Sequence, residues 1–419
     1  MSNVVIITLG CKQNKYESDC MAQILENAGY TVSEEMQSAD IYILNTCAVT
    51  AEAEKKSRQY IAKFNKLSPD AKIIVCGCAS ENNVDQFKNK ANVFSIIGTE
   101  GKEKILDFIE SQVTDKLNIN TEYCSAHTPK KTTTREYIKI QDGCNNFCTY
   151  CIIPYLRGRT RSRNIEEILA EARVIAARSK EIVLTGIDIS SYRVDGKPAL
   201  GLLMSRLKDI DALIRLGSLE VGVITRELME ILSSMPNFAP HFHLSLQSGD
   251  DTTLKKMNRK YTANEYYEKV ALIREYFPKA NITTDVIVGF AGETEEQFKN
   301  TSDFIEKVGF SFVHIFPYSK RAGTVAYKFD DLPMSIKKER VDRLEKVNMA
   351  NRIKYLSMFV GTESKMLVEE KKEYYEGFSP EYIRCYANKE NLVSGKEYRI
   401  KFVDYFQDGM IVEIIKELD

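Results

Sequence analysis

Cys144, Cys148 and Cys151 form a CxxxCxxC run, three thiols within eight residues. A single disulfide cannot use all three, and local spacing this tight favours a metal. A structural zinc site wants four closed ligands, usually paired CxxC knuckles, and no second knuckle stands nearby. A [4Fe–4S] cube has four irons and normally takes four thiolates. Three thiolates leave one iron open to an exogenous ligand. The chemistry implied is a cluster with an open coordination position, the alternatives being zinc or inert cysteines.

A second set is dispersed. Cys11, Cys47 and Cys78 are 36 and 31 positions apart, and each falls just past the end of a predicted strand. In a parallel sheet those ends share one edge, the usual ligand crevice, so the three can converge. Packing as small hydrophobes is the competing reading. Cys76 lies inside the strand end and reads as structural, whereas Cys78 follows Gly77 past that end. Cys20 falls on a helix, and Cys124 and Cys385 complete the ten.

The elements that must position these groups follow from periodicity. Residues 1–112 alternate strands, at Val4–Leu9, Asp40–Leu44, Lys72–Val75 and Val93–Ile97, with helices such as Ala51–Leu67. That alternation predicts a parallel α/β layer. Residues 113–135 are polar and Thr/Lys-rich and read as a linker holding His127. Six strands follow, at Tyr137–Gln141, Glu181–Thr185, Ile214–Leu219, His241–Leu246, Ile282–Val288 and Phe312–Pro317. Each gap has room for a helix, which predicts an open or closed barrel with its site at the carboxyl ends of the strands. A long helix spans 330–357, and short strands at Tyr398–Phe402 and Met410–Ile415 predict a small β-barrel.

Arg157, Arg159, Arg161 and Arg163 put four guanidinium groups in seven residues beside the first triad. Such a run can grip phosphates, the alternative being a solvated loop. Thr185, Gly186 and Asp188 end the second barrel strand, Ser245 and Gln247 the fourth, and Asp285 belongs to the fifth. Polar groups at a barrel mouth suit ligand contacts. His241, His243 and His314 show no metal spacing and read as barrel-interior or surface residues.

Composition bounds the rest. The 419 residues are 43% hydrophobic and 28% charged, which excludes a disordered chain. With 58 Lys+Arg against 59 Asp+Glu, any nucleic-acid site must be a local patch. No apolar run reaches the ~18–20 residues of a membrane helix. Val4–Leu9 lacks a basic leader, so the expectation is a reducing cytoplasm without disulfides and without a membrane partner.

The CxxxCxxC run after the first strand of a six-fold βα array resembles the radical S-adenosylmethionine (SAM) superfamily. That resemblance implies an open iron that chelates the amino and carboxylate groups of SAM. It implies cleavage to methionine and a 5′-deoxyadenosyl radical on reduction. It sets Tyr150 beside the adenine, with Thr185, Gly186, Asp188, Ser245, Gln247 and Asp285 as SAM contacts. Leu9–Asn14 with Glu17-Ser18, Asn45–Thr50 and Gly77-Cys78 resemble the N-terminal domain of the methylthiotransferases, which carry a second three-Cys cluster. Ile152–Tyr155, Arg157–Arg163, Leu244–Gly249, Met257–Tyr261 and Asp285–Gly289 with Gly292-Glu293-Thr294 extend the match. Val221-Gly222 and Ala291 stand where relatives usually have Pro.

The resemblance implies three domains: a methylthiotransferase domain at 1–123, a partial (β/α)6 radical SAM barrel with its following helix at 124–357, and a TRAM-like RNA-binding β-barrel at 358–419. From Gly361 onward there are nine Lys/Arg and thirteen Asp/Glu, so RNA contact there would need Lys396, Arg399 and Lys401 on one face, the alternative being a purely structural cap on the barrel. The implied cofactors are two [4Fe–4S] clusters and SAM. The implied partners are tRNA as substrate, bound through the Arg157–Arg163 run, with an electron donor and a sulfur source. The implied reaction turns C–H into C–SCH3. Leu184–Tyr192 resembles the branch acting on C2 of threonylcarbamoyladenosine at tRNA position 37. Isopentenyladenosine tRNA and a ribosomal-protein aspartate are the other branches. The non-enzymatic rival is an iron–sulfur RNA-binding or electron-transfer protein.

Overall fold

A computed structural model of the chain describes residues 2–49, 51–112, 129–130, 133–388 and 390–418. The N-terminal sheet contains β1 (Asn3–Thr8), β2 (Thr31–Ser33), β3 (Ile41–Thr46), β4 (Lys72–Gly77) and β5 (Val93–Ile96), in the order β2-β1-β3-β4-β5. Every pairing is parallel. Alternate residues feed two cores: Val5, Ile7, Leu44 and Val75 on one face, Val4, Ile6, Ile43 and Ile74 on the other. Burial on both faces explains why these strands read as unbroken apolar runs. The three-residue β2 is too short for that signal and was not expected. Helices α1 (Lys12–Asn27), α2 (Ala51–Leu67) and α3 (Cys78–Asn82) flank the sheet.

The predicted linker lies largely outside the described residues, with Cys124, His127 and the 123/124 boundary. The barrel begins with β6 (Glu136–Lys139), β7 (Glu181–Thr185) and β8 (Leu213–Leu216), in the order β8-β7-β6. A second parallel sheet orders β9 (Ser218–Leu219), β10 (His241–Leu244), β11 (Asn281–Val288) and β12 (Phe312–Pro317). The single strand expected at Ile214–Leu219 is thus two. At the break the Gly217 amide donates to Leu184 O at 2.9 Å, after which the chain crosses to the other half-sheet.

Strand alternation sorts the barrel into two faces. Ile182, Leu184, Ile214, Leu216, Phe242, Leu244 and Ile282 join the apolar core. The intervening positions, Glu181, Arg215, His241, His243, Thr283, Asp285 and His314, face the barrel interior, which is unusually polar. β6 and β12 do not pair. Helix α1 packs against β6, with Lys139 Nζ donating to Glu17 Oε1 at 2.9 Å.

Helix α4 (Met334–Ser357) leads into a closed barrel of β13 (Glu363–Lys371), β14 (Tyr375–Phe378), β15 (Arg384–Ala387), β16 (Glu397–Phe406) and β17 (Gly409–Glu417), in the order β13-β14-β15-β17-β16. This barrel caps the amino ends of the interior strands through Tyr382, held at φ +63°. Its ring stacks on His241 at 4.7 Å, and the guanidinium groups of Arg215 and Arg135 lie 4.6 and 4.9 Å from it. A bulky residue keeps a left-handed backbone only when its surroundings hold it there. Arg215, wholly buried, also donates to Glu181 Oε1 at 2.6 Å and Pro380 O at 3.0 Å. Among the described residues no helix is long and apolar enough to cross a membrane.

Arg215→Ala should therefore strand the Glu181 carboxylate and loosen the cap. A loss of about 3–5 kcal/mol is expected in denaturant unfolding, with faster proteolysis after Ser357.

Two candidate metal centres

The barrel triad sits on a loop built to hold three thiols together. The Cys144 amide donates to Gly158 O at 3.1 Å and the Cys151 amide to Cys148 O at 2.9 Å. Asn258 donates from Nδ2 to the carbonyls of Asn146 and Phe147 at 3.1 and 3.0 Å. A Cβ at Gly143, φ +70°, would stand 2.0 Å from Arg159 O, so only glycine admits this close approach. Burial pushes the Cys144 and Cys151 thiols up to about 12, and each also feels the charge of Cys148. Such thiols are neutral without metal and lose their protons to it on binding. Arg259 donates from Nη1 to Cys148 Sγ at 3.3 Å and from Nη2 to Ser245 O at 3.0 Å.

Cys11, Cys47 and Cys78 do converge at the carboxyl edge of the N-terminal sheet. Cys11 precedes α1, Cys47 follows β3, and Cys78 opens α3. A Cβ at Gly10, φ +100°, would lie 2.8 Å from Cys47 Sγ. Burial drives the Cys47 thiol up to about 11, with Cys78 and Cys11 adding to the rise. Cys78 is raised by burial against the pull of Arg157, whose Nε donates to its sulfur at 3.4 Å. Cys20, Cys76 and Cys385 are buried packing residues.

Arg157 joins the two centres. Its side chain is fully buried and donates to Asn14 Oδ1 at 2.7 Å, Glu17 Oε1 at 2.8 Å and both Asp142 oxygens at 3.3 Å. Lys102 and Lys139 also pair with Glu17, and Lys139 with Asp142 at 2.6 Å. Burial alone would raise the Glu17 and Asp142 carboxyls, but Arg157, Lys102 and Lys139 hold Glu17 well below the carboxylate range. Lys139, Arg157 and Arg161 do the same for Asp142.

This network redistributes the arginine run. Arg161 pairs with Glu100 at 2.6 Å, and Arg163 with Glu171 and with Glu167 at 3.3 Å. All three of Arg157, Arg161 and Arg163 are buried, which corrects the expectation of four guanidinium groups facing substrate. Arg159 alone of the run is exposed, stacked on Phe147 at 4.4 Å, with Tyr155 edge-on to that ring.

The remaining expected contacts divide. Asp188 is brought to the barrel triad: Asn146 Nδ2 donates to its Oδ2 at 3.1 Å, and its buried Oδ1 has no hydrogen-bond partner among the described residues. Thr185 and Gly186 lead into it, Gly186 packed against Gln141. Ser245 offers its carbonyl to Arg259 and Tyr261. Gln247, at φ +70°, bridges to β11 through its backbone. Tyr150 packs edge-on to Phe290 at 6.3 Å. Asp285 lies deeper, mid-strand, with His243 and His314: one ligand atom from each falls within 4.8 Å of the others. Sequence spacing hid that trio, because its members come from three neighbouring strands.

The donor sets fit iron–sulfur chemistry: each centre offers three thiols, and beside the barrel triad stands an orphaned carboxylate oxygen able to accept from a bound ammonium or hydroxyl.

Comparison with known proteins agrees with this geometry. The radical SAM superfamily matches residues 138–305, and a family described as uncharacterized protein family UPF0004 matches residues 3–98. The threonylcarbamoyladenosine tRNA methylthiotransferase MtaB of Bacillus subtilis is 35% identical, covering 100% of this chain and 98% of its own. MtaB of Thermotoga maritima is 39% identical over 88% of this chain and 87% of its own. A tRNA-2-methylthio-N(6)-dimethylallyladenosine synthase of Thermodesulfovibrio yellowstonii is 33% identical, covering 98% of this chain and 94% of its own. In fold, the chain is similar to the radical SAM methyltransferase TsrM of Kitasatospora setae, with TM-score 0.57 and 15% identity over 76% of this chain and 75% of that one.

Arg157→Leu should leave two buried carboxylates short of a partner and cost about 3–5 kcal/mol in thermal or denaturant unfolding. Arg157→Lys should not restore it, since one ammonium cannot span four acceptors. Because both carboxyls are depressed, their stabilisation is complete above the ordinary carboxylate pKa of roughly 4. It is lost as pH falls through the lower folded values. Limited proteolysis of the metal-free chain between pH 7 and pH 2 should show the N-terminal domain retained through pH 4 and increasingly released below it.

Proposed function

The chain belongs to the radical SAM methylthiotransferases, and from that premise we propose that it adds a methylthio group to C2 of N6-threonylcarbamoyladenosine at position 37 of tRNA, in the cytoplasm. The observation that carries the reading is the pair of cysteine triads, with Arg157 bonded to Cys78 of one and to Asp142, two residues before Cys144 of the other. In this reading Cys144, Cys148 and Cys151 hold a [4Fe–4S] cluster that binds SAM, and Cys11, Cys47 and Cys78 hold a second cluster that handles sulfur. When bound, the first cluster with SAM supplies a 5′-deoxyadenosyl radical, which an unactivated purine C–H bond requires. An electron donor and a sulfur source complete the partners.

The chain's own groups have separate tasks. Asp188 Oδ1 would accept a hydrogen bond from SAM, with Thr185, Gly186, Ser245 and Gln247 forming that wall and Tyr150 bordering it. Arg259 donates toward the Cys148 sulfur and fixes its position on the loop. Arg159 and Phe147 present a cation and a ring face on the rim, suited to a phosphate and a stacked base of tRNA. Domain limits near 123 and 357 separate the two ligand sets, the SAM barrel and the C-terminal barrel.

Nucleoside mass spectrometry of tRNA from a strain lacking the gene tests the activity. The 2-methylthio form of threonylcarbamoyladenosine should vanish; loss of only the isopentenyl product would move the chain to that branch. Anaerobic reconstitution should give about eight iron and eight sulfide per chain. Cys148→Ala should abolish 5′-deoxyadenosine formation. Cys47→Ala should keep it yet yield no methylthio nucleoside. Arg159→Ala should lower the slope of log affinity for tRNA against log salt by about 1.

A further inference from the structure

Three domains meet inside the barrel. Lys12, one residue after Cys11, reaches in from α1; His243, Asp285 and His314 line the interior strands; Tyr382 closes the far end. The Lys12 ammonium lies in the field of Tyr382, Arg135, Arg215 and Glu181, and its charge is felt by Asp285 and His314. Most charges here already have partners. Arg215 pairs with Glu181 at 2.6 Å, Arg135 with Glu369 at 2.6 Å, and Asp285 with His243 at 3.3 Å. Lys12 makes no hydrogen bond or ion pair among the described residues, and its side chain is exposed. Charged groups of the SAM barrel and the C-terminal barrel thus act on an ammonium that has no partner among the described residues. Both ring nitrogens of His243 are engaged, Nδ1 with Thr283 Oγ1 at 2.9 Å and Nε2 with Asp285. With an ammonium facing the trio, the interior suits an anionic, hydrogen-bonding guest better than a divalent cation.

Resting on the substrate reading above, we infer that the barrel interior receives the N6 substituent of the target adenosine and that the Lys12 ammonium pairs with its carboxylate. A threonylcarbamoyl group ends in a carboxylate and a hydroxyl, whereas an isopentenyl group has no polar atom. An apolar substituent would leave these polar groups unanswered, and sites built for hydrogen bonding discriminate strongly against analogues that lack the bond. Lys12 is thus a specificity-determining residue, placed between the N-terminal cysteine centre and the interior.

The test uses the reconstituted protein and anticodon stem-loop RNAs carrying, at position 37, threonylcarbamoyladenosine, its carboxylate methyl ester, or plain adenosine. Affinity is read by fluorescence anisotropy, with iron and sulfide measured in each sample. The native chain should bind the acid roughly tenfold or more tighter than the ester. Lys12→Met should bring acid and ester to equal affinity while leaving the plain RNA unchanged, and Lys12→Arg should recover part of the preference. Equal binding of acid and ester by the native chain overturns the inference without any variant. So does an undiminished preference in a fully loaded Lys12→Met. A native chain that methylthiolates threonylcarbamoyladenosine but ignores the ester change leaves the substrate reading standing and removes only the role of Lys12. A native chain inactive on that nucleoside removes the substrate reading itself.

Discussion

A single guanidinium sets the relation between the two halves of this molecule. Arg157 comes from the barrel loop region, yet three of its four acceptor residues, Asn14, Glu17 and Cys78, belong to the N-terminal domain. Its remaining acceptor, Asp142, stands two residues before Cys144. A charge buried this completely is tolerated only when its partners are in place, so the network has one low-energy arrangement. That arrangement brings the edge of a parallel sheet and the mouth of a partial barrel into register. Each cysteine triad is built by its own domain, but their juxtaposition is built by this network.

The barrel interior extends the same logic. A barrel closed by its own strands would fill with apolar side chains. Here β6 and β12 stay unpaired, α1 packs against β6, and Tyr382 closes the end. The barrel interior is lined by charge and hydrogen-bonding groups such as Glu181, Arg215, His243 and Asp285. The acidic C-terminal barrel accordingly contributes to the interior as well as forming a separate module.

Much of this was legible in the residues. The CxxxCxxC run is a local signal, and its loop needs only nearby residues. Cys11, Cys47 and Cys78 were legible because parallel strands that alternate with helices present their carboxyl ends at one edge. Strands Glu181–Thr185 and Phe312–Pro317 were read to the residue, since each is a short run bounded by clear turns. Other features depend on tertiary partners. Nothing local distinguishes Arg159 from Arg157 and Arg161, which are buried against Glu17 and Glu100 of the distant N-terminal domain, while Arg163 pairs with Glu167 and Glu171 on the helix that follows it. The break at Gly217 depends on Leu184, and the meeting of His243, Asp285 and His314 depends on strand order. Of the C-terminal strands, β13, β14 and β15 were missed because charged and glycine-containing segments dilute their alternation.

The claim on which the rest stands is that the triads hold two clusters facing each other across the Arg157 network. Electron paramagnetic resonance of the fully reconstituted, reduced protein tests it directly. The account predicts two cluster signals broadened by mutual magnetic coupling, reverting to one unbroadened signal when a single triad is disabled. Two signals that simply add, or one signal from a fully loaded chain, would contradict it.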